Sequence, residues 1–317
     1  MRTFKHLTNA SITRIRKMNL TRKHKIICAT ILFGLIMCIL VTIYKEKRSY
    51  QVPEMSAEES ENVNVFEDDV VTYEAGDYVL PDDATLKQMT RVQLLGVFWK
   101  YINRIQTLCR NVYRVGTVKD GGKEICTDKP YRPSPPCIVY SFGIDYRLEF
   151  DLAVVKLFGC QVYAFDPSMK MESKRVSEHI WFYNWGLGGE DTVTNNGWVI
   201  KTLATIRKEL GHSNKTIDVL KVDVEGDEWH ALLQMLKTGA LKDVKQIAME
   251  THFLDKGNFP EEGNAQLSAL RDLYNAGFRI FMRDRNIVGS KNLKGDWSMT
   301  DLNEISLINT RIVKTKQ

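Results

Sequence analysis

The side chains best suited to chemistry gather in two short runs, Asp223-Val-Glu225-Gly226-Asp227-Glu228-Trp229 and Glu250-Thr251-His252. Carboxylates and imidazoles hold or move protons near neutral pH, and they also ligate metals. Glu250 and His252 stand two residues apart, so on an extended chain they point to the same side. With Glu225 they are the candidate catalytic residues. They can form an acid–base pair, or complete a metal site with Asp223 and Glu225. Helix capping and solvated loop charge is the plainer alternative, and it is favoured for Asp227 and Glu228. A second group lies upstream, in Ser141-Phe142-Gly143-Ile144-Asp145 and Phe165-Asp166-Pro167. A glycine lets backbone approach a ligand closely, and a helix start beyond it offers free N–H groups. Asp166 follows Gly143 by 23 residues, a spacing at which a carboxylate can accept both hydroxyls of a nucleoside ribose. An ordinary turn glycine and an N-cap before Ser168 are the alternatives.

These residues make sense as a set only if strands present them together. From Pro136 onward, short apolar runs alternate with helical patterns. Strands are expected at Ile138–Ser141, Gln161–Phe165, Ile180–Trp185, Ile217–Val222, Val244–Met249, Phe278–Met282 and Ile305–Asn309. Helices are expected at Leu148–Phe158, Gly197–Leu210, Trp229–Lys237 and Ala265–Asn275, with a leading helix over Thr85–Cys109. Such alternation argues for a mostly parallel sheet covered on both faces, its last strand free to pair antiparallel. Ligands bind beyond the carboxyl ends of the strands in such sheets, which is where both groups fall.

The run Ile217-Asp-Val-Leu-Lys-Val-Asp-Val-Glu-Gly-Asp-Glu-Trp229 resembles the motif of FkbM-type methyltransferases. Cys137-Ile-Val-Tyr-Ser-Phe-Gly143, Phe165-Asp-Pro167, Trp185-Gly-Leu187 and Met249-Glu-Thr-His252 add to it, over about residues 85–312. The resemblance implies a Rossmann-like, S-adenosylmethionine-dependent methyltransferase fold: a seven-stranded mixed sheet in the order 3-2-1-4-5-7-6, with helices on both faces. It implies a cofactor site at Phe142, Gly143, Asp145, Asp166, Asn184 or its neighbours, and Asp223. Glu225, Glu250 and His252 would then face the acceptor, expected to be a sugar or similar hydroxyl. One departure stands out: Asp145, Tyr146 and Arg147 follow Gly143, where relatives often carry further glycines.

Charge divides the chain unevenly around a net +5. Residues 1–25 carry eight Lys/Arg and no acids, whereas residues 51–83 carry eleven Asp/Glu and no Lys/Arg. Ile26–Tyr44 is uncharged for nineteen residues, long enough at 1.5 Å per residue to span a hydrocarbon core of about 30 Å. The expected organisation is a basic cytoplasmic tail (1–25), a transmembrane signal anchor (26–44), an acidic stem (45–84) and a lumenal methyltransferase-like domain (85–317) in the ER or Golgi. The domain lacks the clustered basic stripe of a nucleic-acid binder. Four cysteines lie beyond the anchor: Cys109, Cys126, Cys137 and Cys160. In an oxidising lumen they allow three pairings, with Cys160 a possible buried thiol. Two rival functions remain, a non-catalytic protein that keeps the fold for binding and a type II glycosyltransferase.

Overall fold

Ile217–Val222 is buried at all six positions. A strand with no solvated face belongs in the middle of a sheet covered on both sides. The computed structural model describes residues 79–118, 120–253, 261–286 and 302–312. In chain order its elements are α1 (Asp83–Lys87), α2 (Arg91–Ile102), β1 (Val112–Val115), β2 (Lys123–Cys126), β3 (Ile138–Phe142), α3 (Glu149–Phe158), β4 (Gln161–Phe165) and β5 (Lys174–Arg175). There follow β6 (Ile180–Tyr183), β7 (Trp185–Leu187), β8 (Thr192–Val193), β9 (Val199–Lys201), α4 (Leu203–Glu209) and β10 (Ile217–Val222). The chain continues through α5 (Glu228–Thr238), β11 (Val244–His252), α6 (Glu261–Asn275), β12 (Phe278–Arg285) and β13 (Leu302–Asn309).

Among the described residues, eight strands form the main sheet, in the order β12-β13-β11-β10-β3-β4-β6-β5. Strands β6, β4, β3, β10 and β11 run parallel, and β13 pairs antiparallel with both β11 and β12. Without the two-residue edge strand β5, this is the seven-stranded 3-2-1-4-5-7-6 order, and the mixed Rossmann-like sheet stands. Leu94, Phe98, Trp229, Leu232, Leu267 and Leu270 belong to the larger core cluster, which draws on α2, α5 and α6. Phe150, Val154 and Phe158 of α3 join Val115 and Ile125 of the β1–β2 hairpin in a second cluster.

Several expected boundaries shift for identifiable reasons. The leading helix is two helices, because Thr90 and Gln93 form a capping box that starts α2 afresh. The helix expected over Gly197–Leu210 begins with strand β9 instead. Its β-branched Val199 and Ile200 pair with β7 and β8, and Thr202 caps α4 by accepting from the Thr205 N–H. Gly121-Gly122 lie in the turn of the β1–β2 hairpin, whose strands the apolar pattern does not announce. Residues 79–84, assigned to the stem, already pack: Leu80 is buried, and Asp83 pairs with Arg271 of α6. The cysteines pair as Cys109–Cys126 and Cys137–Cys160, so Cys160 is not a free thiol. The anchor at 26–44 and the tail before it lie outside the described residues, as does most of the stem. Among the described residues no helix is long and apolar enough to cross a membrane.

Candidate active site

The carboxyl ends of β3, β4, β10 and β11 open onto one cleft of about 640 Å³. It lies where the sheet order reverses, since the chain passes from β3 to β4 on one side and β10 continues on the other. Phe142, Gly143, Asp145, Asp166, Asp223, Glu225, Glu250 and His252 all line it, as the sequence placed them. Asn184 does not. It is exposed and exchanges hydrogen bonds with Ser173, while its neighbours Gly186 and Leu187 face the cleft.

The turn after β3 is shaped by the chain itself. Gly143 has φ +74°, and a Cβ there would lie 1.6 Å from the Asp223 carbonyl oxygen. The glycine is therefore demanded by the neighbouring strand end, whatever approaches from outside. Beyond it, Asp145 and Tyr146 hold left-handed conformations, φ 41° and 60°, without being glycine. Each costs about 1–2 kcal/mol and needs outside support. Asp166 supplies much of it: its Oδ2 accepts from the Ile144 and Asp145 N–H groups at 3.1 and 2.9 Å. Its Oδ1 accepts from Ser168 N–H and Oγ–H at 2.9 and 2.6 Å. A carboxylate has about four lone-pair positions, and here the chain engages all four. No helix follows for Asp166 to cap, since the chain runs on from Pro167 as turn and bend to β5; it closes the turn at Ser168 and pins the glycine turn instead.

At the far side of the cleft, His252 is held by glutamates. Glu228, fully buried, accepts from its backbone N–H at 2.8 Å and faces Nδ1 at 2.9 Å. The other nitrogen, Nε2, lies 3.5 Å from Glu225 and 3.6 Å from Glu250. Burial opposes charge on the imidazole, but the Glu228 hydrogen bond and the three carboxylates outweigh it and raise the pKa to about 9. Glu250 is raised to about 8, first by burial and then by the charge and hydrogen bond of Asp223. Asp223 itself is held low despite burial, by Lys123 and Lys221. Glu225 sits at the open side, its side chain 88% exposed and its backbone at φ 55°.

Four contributors went unremarked as site residues in the sequence. Glu228 reads as a capping charge. Lys221 lies inside an apolar strand, its Nζ donating to the carbonyls of Phe142 and Gly143 at 3.1 and 2.8 Å. Lys123 enters from the hairpin, 2.5 Å from Glu304 and 3.2 Å from Asp223. Asp151, in the first turn of α3, lies on the cleft wall with both carboxylate oxygens unpartnered, as is the Ser141 hydroxyl. The metal set suggested by Asp223 and Glu225 is not the one assembled. Asp120, Glu250 and Glu304 bring ligand atoms within 4.8 Å of one another instead. Asp120 is engaged with Arg147 and Glu304 with Lys123.

A family model described as a methyltransferase domain matches residues 88–297. The protein described as "Probable methyltransferase-like protein 24" of Homo sapiens is 26% identical over 207 residues, 58% of this chain and 55% of that protein. Its namesake in Rattus norvegicus is 26% identical over 212 residues, 58% and 56% of the two chains. The chain thus spans about half the length of the curated relatives it matches. Among solved structures, a Methanococcus jannaschii fibrillarin pre-rRNA processing protein is 12% identical over 65% of this chain and 96% of its own, with a TM-score of 0.34. A protein in the NADB-Rossmann superfamily from Streptococcus agalactiae gives 12%, 56%, 63% and 0.28. Those two scores are too low to add to the topology already described.

Proposed function

The chain belongs to the methyltransferase-domain family matched over residues 88–297, and from that premise we propose that it methylates a hydroxyl acceptor, a sugar or comparable molecule of the secretory pathway. The cofactor of the family is S-adenosylmethionine, and the cleft is suited to it. One part is apolar, with Phe165, Pro167, Leu187, Trp198 and Ile200, as a nucleoside base requires. Elsewhere on the wall, the unpartnered Asp151 carboxylate suits a ligand that carries positive charge. When bound, the cofactor supplies an electrophilic methyl group on a sulfonium.

The observation that carries the hydroxyl reading is Glu225, set beside His252 at the open side of the cofactor cleft. Methyl transfer needs orientation above all, and a hydroxyl acceptor also needs a group to take its proton. His252, held protonated by its glutamates, is poorly placed as that base at neutral pH. It fixes Glu225 by charge and orientation, and Glu225 receives the proton. The cleft also presents Asp120, Asp145, Glu149, Asp151, Asp166, Asp223, Glu225 and Asp227 against Arg147, Lys221 and the protonated His252, which supports a neutral or cationic acceptor over a polyanion such as nucleic acid.

The test is transfer of labelled methyl from S-adenosylmethionine to a panel of glycans and small alcohols. Glu225→Gln should lower turnover by about 10²–10⁴ while leaving S-adenosylhomocysteine binding intact. Wild-type protein that binds S-adenosylhomocysteine but methylates no hydroxyl would favour a non-catalytic binder, the reading that the glycine-poor turn at Asp145 and Tyr146 supports. Stabilisation by UDP with Mn²⁺ alone would favour a glycosyltransferase.

A further inference from the structure

Asp151 is 1% exposed, and no hydrogen-bond donor reaches either of its carboxylate oxygens. A buried polar group without a partner is costly and calls for an explanation in the molecule's function. The neighbouring candidates do not supply one. The Ser141 hydroxyl on β3 and the Asp151 backbone N–H lie near enough to favour its charged form, but neither makes a bond to it within hydrogen-bond geometry. Lys221 attracts it at longer range, yet that ammonium is committed to the Phe142 and Gly143 carbonyls and lies 3.8 Å from Asp223. Burial holds the Asp151 carboxyl at about 6, so most of it is still ionised at neutral pH.

The surroundings of this carboxylate have a second property. Leu148, the residue that opens α3, makes no side-chain cap. A helix start without a cap keeps outward-facing amides and a partial positive charge, and it accepts an anion. Glu149 and Phe150 of that turn line the same cleft as Asp151. An orphaned carboxylate beside an uncapped helix start is complementary to a zwitterion. The cofactor of this family ends in one, an α-ammonium next to an α-carboxylate.

We infer that Asp151 receives the α-ammonium of the cofactor's amino-acid end, and that the uncapped start of α3 takes its α-carboxylate. The assignment rests on the S-adenosylmethionine reading, and it gives α3 a role that the sequence motifs leave unassigned. The carbonyls after β3 each already accept from Lys221, whereas the Asp151 oxygens accept from nothing.

The test compares S-adenosylhomocysteine with its analogue lacking the α-amino group, by calorimetry on wild-type protein and on Asp151→Asn. Wild type should prefer the amino ligand at least about tenfold, the effect of one charge-assisted hydrogen bond. Asp151→Asn should lose that preference by weakening the amino ligand alone, and the analogue should bind within about twofold of wild type. Without ligand, Asp151→Asn should melt no earlier than wild type, because the amide removes a buried charge that nothing in the free protein satisfies. A merely structural Asp151 predicts the opposite, an early melt with both ligands weakened equally. Equal binding of both ligands by wild type, a result that needs no variant, overturns the inference while sparing the cofactor. Binding of neither ligand overturns the cofactor reading and the inference together.

Discussion

Asp166 shows how one carboxylate can organise a site through the chain itself. Its four chain donors tie Ile144 and Asp145 to Ser168, so Asp166→Asn must leave some of those donors without an acceptor. Each lost charge-assisted bond contributes about 1.5–3 kcal/mol, and the variant should lose roughly 2–4 kcal/mol of stability in urea titrations. Affinity for S-adenosylhomocysteine should fall as well, because the turn at Gly143 loses its anchor. A variant that melts normally and loses only affinity would favour the direct ribose contact. The spacing of Gly143 and Asp166 was legible because both stand just past strands with clear apolar runs. Lys123 and Asp151 were not, since their significance lies in partners, or missing partners, far away in sequence. His252 carries a pH signature of its own. Its pKa is raised from 6.5 to about 9, and that of Glu250 from 4.5 to about 8, so the folded chain binds more protons than the unfolded one. Stability from His252 is complete below about pH 6.5 and is lost as pH rises through 9; that from Glu250 is complete below 4.5 and lost through 8. Thermal melts should therefore decline from pH 6.5 to 9, by up to about 1.4 kcal/mol per pH unit per retained proton. His252→Gln should flatten the slope, and a flat wild-type profile would contradict the protonated cluster.

The β1–β2 hairpin is the element that the sequence concealed and the site most depends on. Its strands are four residues each, and Lys123-Glu124-Ile125-Cys126 reads as charged loop rather than strand. All four of those residues are buried, and Gln246 of β11 bonds the backbone of Cys126 in both directions. That docking carries the Lys123 ammonium to Glu304 and Asp223. Longer elements were legible because their own pattern decides them: Gln161–Phe165 and Ile217–Val222 fall where the apolar runs place them. The hairpin is decided by what it packs against, a signal with no local trace. Lys123→Met would leave the buried Glu304 carboxylate without its ammonium and Asp223 with Lys221 alone, at 3.8 Å. Removing one partner of a buried ion pair costs about 3–5 kcal/mol, and a loss of that order is expected in guanidinium titrations. The double variant with Glu304→Gln should recover part of it. A fully additive pair of losses would mean that Lys123 and Glu304 do not interact.

For the molecule as a whole, covalent structure and surface chemistry bear on the lumenal orientation expected from the sequence. Cys109–Cys126 and Cys137–Cys160 close loops of 17 and 23 residues, each contributing about 3 kcal/mol by the chain-entropy account. Set against a typical total of about 5–15 kcal/mol, two such bridges should make the fold sensitive to reduction. Asn214, in the acceptor sequence Asn214-Lys-Thr216, is exposed in the turn between α4 and β10, where a glycan would meet no packed surface. Asn9-Ala-Ser11 and Asn19-Leu-Thr21 precede the expected anchor and would remain in the cytoplasm unmodified. A type II chain should therefore carry its glycan at Asn214 alone among the three. Endoglycosidase treatment of the full chain from secretory-competent cells should lower its mass, and Asn214→Gln should remove that shift. Dithiothreitol should in parallel lower the melting temperature by many degrees. A glycan on Asn9 or Asn19 would reverse the orientation. A chain that melts unchanged with both disulfides reduced would remove the physical reason for placing this domain in the lumen.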